Sequence, residues 1–484
     1  MDKVKIIKYA SPPSDLPIYG QVDPAKVCFF GRTNYESEFE SKRYVFGIKN
    51  IDRKRHIYIL GKSGIGKTKL LELFIRQDIT YNRGLCLIDF YGELIDNLLD
   101  FVPENRIKDV VLVDPSDTNW PIYFNPLKDV PSDIRHQFAQ WLTEIIKKQF
   151  NANWNIRIEH IFRFICLALL DYPFATMEGM ILMMTDENYR RKVIEYIKDD
   201  TVRHFWEIEF IEWLKKFEIE AIIPLVNKLN RFFSDPSLKN IFKQQENKID
   251  LNKIIDEQKI LLINLYRGRL GESNANFFGS LITAKIYQVL MSKKSIKNKN
   301  RDNFYLYIND FHNMVTEFFD NFLTDAKNYN LCLTLAHQYL AQLPSEIPAV
   351  ITGNVATIIV FRLSAEDAFI LEKEMAPIFK AKDMINLGMQ EFYIKMTIDG
   401  GTADPFSAET LKILPPTHPS YKEKIIEYNR QIYCSSIEEV KRRIAGEETL
   451  GVKPSSVGNS AASISKVENK SSTEISLPAE EPIV

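Results

Sequence analysis

Hydrophobic and polar positions follow two rhythms along this chain. Short apolar runs at His56–Leu60, Leu85–Ile88 and Asp109–Val113 read as strands, and between the first two Leu70/Phe74 and Leu71/Ile75 recur at helical spacing. The pattern predicts a helix over Lys67–Asn82, closed by Gly84. Buried strands alternating with helices imply a parallel sheet covered by helices. From about 127 to 250 the rhythm changes. Helical spacing dominates Ile134–Phe150, Ile156–Leu170, Asn188–Asp199 and Ile219–Phe233, with no convincing strand between them. Strand texture resumes at Lys259–Leu265, Phe304–Ile308, Leu331–Ala336 and Ala356–Phe361, and Glu391–Ile398 alternates like an edge strand.

These changes divide the chain. Residues 1–50 form an irregular segment with Pro12, Pro13 and Pro17, followed by the strand-like Lys26–Phe30. Residues 51–126 and 251–417 are two parts of one α/β core, interrupted by an all-α insertion at 127–250. A helical segment at 418–450, centred on Ile437–Ile444, follows Pro415 and Pro416. Residues 451–484 are rich in Ser and lack aromatics, which predicts a disordered tail. No internal repeat is visible.

Composition narrows the partners. The chain has 484 residues, 45% of them hydrophobic, enough for two to four domains. Its formal net charge is −2, so a contact with nucleic acid must be local, such as a channel lining. Cys28, Cys86, Cys166, Cys332 and Cys434 stand singly, without metal-ligand spacing, and read as thiols of a reducing cytoplasm. The charged Met1–Lys8 predicts no signal peptide, and the apolar Ile165–Leu170 and Thr357–Phe361 are too short to span a bilayer. The expected location is the cytoplasm, with any place at the inner face of a membrane depending on recruitment by a partner.

The decisive motif is Gly61-Lys-Ser-Gly-Ile-Gly-Lys-Thr68, which fits G-x-x-x-x-G-K-[ST] between a predicted strand and a predicted helix. Gly61, Gly64 and Gly66 allow the backbone to curl so that N–H groups along Gly61, Lys62, Ser63, Gly64, Ile65, Gly66, Lys67 and Thr68 face phosphates. Lys67 is placed to reach the β- and γ-phosphates of ATP, and the Thr68 hydroxyl to ligate Mg²⁺. The chain has no guanine-reading N/T-K-x-D, since Asn227-Lys-Leu-Asn230 ends in Asn, and no LSGGQ-like signature. GTPases and transporter ATPases are thereby disfavoured.

Several further segments, in order, resemble the TraD/TraG-type coupling proteins of type IV secretion and the related HerA/FtsK-superfamily DNA translocases over most of residues 42–418. They are Phe46-Gly-Ile-Lys49, Ile88-Asp-Phe-Tyr-Gly-Glu-Leu94, Asp171-Tyr-Pro-Phe-Ala-Thr176 and Asn264-Leu-Tyr-Arg-Gly-Arg-Leu-Gly-Glu272. Phe304-Tyr-Leu-Tyr-Ile-Asn-Asp-Phe-His312, Thr334-Leu-Ala-His-Gln-Tyr339 and the stretch from Gly353-Asn-Val to Phe361-Arg-Leu-Ser-Ala-Glu-Asp367 complete the set. The resemblance implies an α/β RecA-like P-loop core with a mainly parallel sheet, an inserted all-α domain, and a homohexameric ring that pumps DNA with ATP and Mg²⁺. It also implies a relaxosome, secretion-channel or nuclease partner. Of these, a nuclease would make the chain a motor of DNA end processing instead of conjugation.

One position departs from that pattern. Where the family ends a strand in Asp-Glu, this chain has Asn309 and Asp310. Either Asp310 or Asp89 takes over around the metal in a slower ATPase, or the chain is a hydrolysis-deficient recruiting subunit. On this reading Asn309→Asp would restore a charge and raise turnover about tenfold. The resemblance makes Gln338 a sensor of the γ-phosphate or attacking water, with His337 its structural companion. Asp89, at a strand end, is either a metal-supporting residue or a turn former. Arg362 and Arg267, just beyond strands, are either arginine fingers acting on a neighbouring subunit or surface ion pairs. The basic stretch Lys293–Arg301 touches DNA phosphates or is a solvated loop. Trp154, Arg157 and Glu159 read as local packing and ion pairing.

Overall fold

The computed structural model describes residues 7–36, 43–150, 154–217, 222–292 and 302–450. The expected disordered tail and the basic stretch Lys293–Arg301 lie outside them.

The strands are β1 (Val27–Thr33), β2 (Val45–Lys49), β3 (Ile57–Leu60), β4 (Gly84–Asp89), β5 (Val110–Val113), β6 (Ile260–Asn264) and β7 (Phe304–Asn309), then β8 (Leu331–His337), β9 (Thr357–Val360), β10 (Glu391–Lys395), β11 (Thr397–Ile398), β12 (Gly401–Thr402) and β13 (Phe406–Thr410). Eleven of them make one sheet in the order β2-β1-β13-β10-β9-β3-β8-β7-β4-β6-β5, and β11 pairs with β12 alone. From β9 to β5 every pairing is parallel. From β9 to β2 every pairing is antiparallel. The α/β, mainly parallel architecture expected of a RecA-like P-loop core is present.

The alternation of side chains explains why both faces of this sheet are covered. On β3, Ile57 and Ile59 pack with Leu70, Leu71, Phe74 and Ile75 of helix α1 (Lys67–Thr80), whereas Tyr58 and Leu60 join the opposite core. On β4, Leu85 and Leu87 share the α1 side with Leu94, Ile95 and Leu98 of α2 (Glu93–Phe101), and Cys86 and Ile88 turn the other way. The opposite core takes in α3 (Arg135–Lys147), α4 (Ile156–Asp171) and the long helix Glu272–Ser292. Each fully buried Leu, Ile or Phe contributes roughly 1.5–3 kcal/mol relative to exposure.

A buried charge network fastens α1 to the sheet. Arg53 donates from both terminal nitrogens to Asp78 at 2.8 Å, and Tyr307 of β7 hydrogen-bonds to both. Arg83 adds a further donor to Asp78 at 2.9 Å.

Between β5 and β6 the described residues hold helices and no strand. Asp side chains set several of their starts: Asp186, Asp199, Asp235 and Asp250 each accept backbone N–H bonds as N-caps. Here the predicted helix Asn188–Asp199 is shorter, running Glu187–Ile194, and Asp199 caps a new helix at Asp200–His204. Trp154 donates from its indole N–H to Glu159 at 2.8 Å.

Three other expectations change. Glu391–Ile398 is not an edge strand, since β10 lies between β9 and β13; it alternates because Phe392 and Ile394 enter the α1-side core and Tyr393 the opposite one. The N-terminal segment is not separate, because β1 pairs with β13 through Gly31↔Thr410 and carries β2 into the same sheet. Helix α1 stops at Thr80, two residues short, where Asn82 adopts a left-handed φ of 55°. Among the described residues no helix is long and apolar enough to cross a membrane.

Candidate functional site

Parallel strands deliver their carboxyl ends to one edge of a sheet. Around β3 this edge collects Leu60, which runs into the P-loop, His337 ending β8, Asn309 ending β7 and Asp89 ending β4. A cavity of about 430 Å³ opens there, walled by Ser63, Gly64, Ile65, Gly66, Lys67, Thr68, Asp89, Asn309, Asp310 and Gln338.

The loop geometry requires its glycines. Gly64 and Gly66 have φ of 75° and 123°, conformations that side chains resist. A Cβ at Gly61 would lie 2.6 Å from the Phe361 Cβ at the end of β9. Two outside contacts hold the curl: Lys62 donates its N–H to the Arg362 carbonyl at 3.0 Å, and Gln390 donates its N–H to the Ile65 carbonyl, also at 3.0 Å. Gly61 and Lys62 are not in the cavity wall. Their carbonyls instead accept from Lys67 Nζ, at 2.6 and 2.8 Å. Lys67 is 7% exposed; burial lowers its pKa to about 8, opposed in part by the nearby Asp310.

Opposite the loop stand two carboxylates. Asp89 is fully buried, accepts from the Gly92 N–H at 2.8 Å and from the Asn309 amide at 3.0 Å, and burial raises its pKa against those hydrogen bonds. Asp310 is 3% exposed and sits in the left-handed region at φ 58°, a strained backbone for a non-glycine residue. Its Oδ1 has no hydrogen-bond partner among the described residues. Burial, followed by the nearby Asp310 carboxylate, pushes the Tyr91 phenol up to about 12. A buried carboxylate held in a strained turn beside an ammonium fits a divalent cation or a water that must be oriented. The donor set of Thr68, Asp310 and Asp89 is all oxygen, as Mg²⁺ prefers.

Asn309, also in the cavity wall, hydrogen-bonds to the carboxylate of the neighbouring strand. Its amide nitrogen donates to Asp89 Oδ1, so it orients the carboxylate of the next strand. Restoring a carboxylate at 309 would face it against Asp89 and remove that donor. The geometry therefore favours loss of turnover from Asn309→Asp, opposite to the expectation from the motif.

Gln338 reaches the cavity, and its N–H donates to the Gln342 side-chain oxygen at 3.1 Å. His337 is fully buried and bonded to the Tyr58 hydroxyl at 2.6 Å, and burial lowers its pKa to about 3. The two arginines are not brought into the cavity. Arg362 donates its Nε to the Leu387 carbonyl at 2.6 Å, and Arg267 lies 4.9 Å from the Phe90 ring centre with its Nε and one terminal nitrogen unpartnered among the described residues. The motif left out Tyr91, Met389 and Gln390, all in the cavity wall. Tyr91 lies inside a quoted segment, but nothing in the residue type Gln announces the left-handed φ of 63° that lets Gln390 grip the loop.

No protein-family model matches the chain, nor does any curated protein sequence. Solved structures do. The unbound bacterial conjugative coupling protein TrwB matches with a TM-score of 0.56 at 13% identity, over 77% of this chain and 88% of that one. TrwB with the non-hydrolysable ATP analogue ADPNP and TrwB with ADP and Mg²⁺ each match with a TM-score of 0.55 at 14% identity, over 77% of this chain and 89% of theirs. The chain thus has the fold of the TrwB coupling protein.

Proposed function

We propose that this protein is an Mg²⁺-dependent ATPase of the type IV secretion coupling kind, which moves DNA through a homohexameric ring. The observation that carries the reading is the complete phosphate cradle facing buried Asp310 and Asp89 across one cavity, on a fold whose TrwB example binds an ATP analogue and ADP with Mg²⁺. Lys67 would leave the Gly61 and Lys62 carbonyls for the β- and γ-phosphates, while the loop N–H groups and the start of α1 hold the rest of the polyphosphate. Thr68, Asp310 and Asp89 would hold the metal, which when bound supplies positive charge against the phosphate oxygens. Asp310 would accept a hydrogen bond from the attacking water through a carboxylate oxygen, and Gln338 would donate to the γ-phosphate or that water. Arg362 would act from a neighbouring subunit, since its own chain keeps it out of the cavity. Asn309 supports a second reading, a nucleotide-binding recruiting subunit without hydrolysis.

ATP turnover with single- and double-stranded DNA, measured separately, tests the choice. Turnover stimulated by DNA and abolished in Asp310→Ala is expected. Tight ATP binding without turnover under every condition would leave the recruiting subunit. If a nucleotide analogue binds wild type and Lys67→Ala equally, the cradle assignment is wrong.

A further inference from the structure

Behind Asp310, out of the cavity wall, lies a side chain that neither the motif nor the proposed reaction uses. His312 Nδ1 is 4.0 Å from Asp310 Oδ1, and among the described residues neither atom has a hydrogen-bond partner. On the other side of the ring, His312 Nε2 is 3.2 Å from the Gln342 amide nitrogen.

The protonation of this ring follows from its neighbours. Gln342 Oε1 accepts from two backbone N–H groups, those of Gln338 at 3.1 Å and Tyr339 at 3.2 Å. Turning the amide over would aim its NH₂ at two donors, so its orientation is fixed. The nitrogen facing His312 can then only donate, and His312 Nε2 must accept. A neutral imidazole that accepts at Nε2 carries its proton at Nδ1. The buried, unpartnered oxygen of Asp310 lies 4.0 Å from that nitrogen. The chain of contacts runs from the Gln338 backbone through Gln342 and His312 to Asp310.

We propose that His312 is a positioning residue: held as the Nδ1–H tautomer by Gln342, it steers the Asp310 carboxylate and ties its orientation to the Gln338 turn. A small rotation of Asp310 closes the remaining gap into a hydrogen bond. The proposal rests on the assignment of Asp310 to the reaction, but the tautomer is a property of the folded chain and is measurable without turnover. A carboxylate fixed by such a donor keeps one oxygen occupied and leaves the other for the cavity.

The test has two arms. In protein labelled with ¹⁵N-histidine, long-range proton–nitrogen correlation spectra, with His312 assigned by its loss in His312→Asn, are expected to show Nδ1–H at this ring. An Nε2–H ring would overturn the proposal. In steady-state ATP turnover, His312→Ala is expected to lower kcat about tenfold or more with little change in nucleotide Kd. His312→Asn, whose amide can present an N–H near the place of Nδ1, should recover most of the rate, and His312→Gln, whose donor sits nearer Nε2, should not. Equal recovery by both, or an unchanged kcat in His312→Ala, would overturn the positioning role. A protein with no turnover under any condition would remove the ATPase reading and leave the spectrum to decide the tautomer.

Discussion

At the scale of single residues, the site is governed by two groups in the wrong solvent for their charge. Lys67 is buried against loop carbonyls, so its ammonium is weakened to about pH 8, while polyphosphate stabilises the charged form. Nucleotide affinity should therefore be full below about pH 8 and fall as pH rises through that value, until the raised pKa of the complex is passed. Calorimetric titration between about pH 7 and 9.5 would show the decline. Lys67→Arg, whose guanidinium keeps its charge over this range, should bind more weakly and with a flat profile. A flat profile in the wild type would separate Lys67 from the phosphates. The second group is Asp89, fully buried, whose pKa burial raises although the Gly92 N–H and the Asn309 amide favour its charged form. Asn309→Asp replaces a donor by a like charge, so turnover should fall about tenfold, equal to ~1.4 kcal/mol of barrier. A rise in turnover would return position 309 to the ordinary metal-facing role. The presence of the P-loop and the identities of Asp89 and Asp310 were legible in the sequence. The reach of Asn309 to the next strand was not, because Asn309 and Asp89 meet only through sheet order.

Among the elements, strand and helix periods located the parallel core well, since fully buried strands such as Leu85–Ile88 are short apolar runs bounded by turn residues. The antiparallel side was less legible. β13 was missed and β10 was placed at an edge, because the pairing of Gly31 with Thr410 joins segments too far apart for any local pattern to report. Gly47 shows what such pairing demands: a Cβ there would lie 2.2 Å from the Cys28 carbonyl oxygen on β1. The Arg53–Asp78–Tyr307 network was equally hidden, for the same reason. It joins α1 to the turn before β3 and to β7, and both charges are essentially unexposed. Asp78→Asn would leave the Arg53 cation buried beside a neutral amide and should destabilise the fold by about 3–5 kcal/mol, read from denaturant midpoints. The Asp78 pKa is lowered, because its arginines and Tyr307 outweigh the cost of burial. Its stabilising effect is thus present above the ordinary carboxylate range and lost as pH falls through the lower folded value. The mutant should accordingly lose the part of the acid-unfolding response that Asp78 carries. An unchanged midpoint would mean that the ion pair is nearly balanced by its own desolvation.

For the whole molecule, the question is what completes the nucleotide cavity. One chain supplies the cradle, the carboxylates and Gln338, but neither Arg362 nor Arg267 stands in its wall. Phosphoryl transfer gains from a cation on the developing charge, and the proposed ring would bring one from a neighbour. Several large apolar side chains remain exposed near this edge: Met389 at 69% in the cavity wall itself, and Phe369 and Ile370 at 68% and 55% on the helix Ala365–Met375. An overall charge of −2 leaves DNA to be held by local groups on such an assembly. If subunits complete one another's sites, chains that lack the donated arginine must poison active ones. Mixing wild type with increasing fractions of a chain carrying both Lys67→Ala and Arg362→Ala, after exchange of subunits, should lower DNA-stimulated turnover more steeply than in proportion to the wild-type fraction. Arg362→Ala should bind nucleotide normally and lose turnover, and adding Lys67→Ala chains, which still carry Arg362, should restore part of it. Light scattering with ATP and DNA should show a mass near six protomers. A strictly proportional loss on mixing, together with a monomeric mass, would place the whole reaction within one chain and remove the ring.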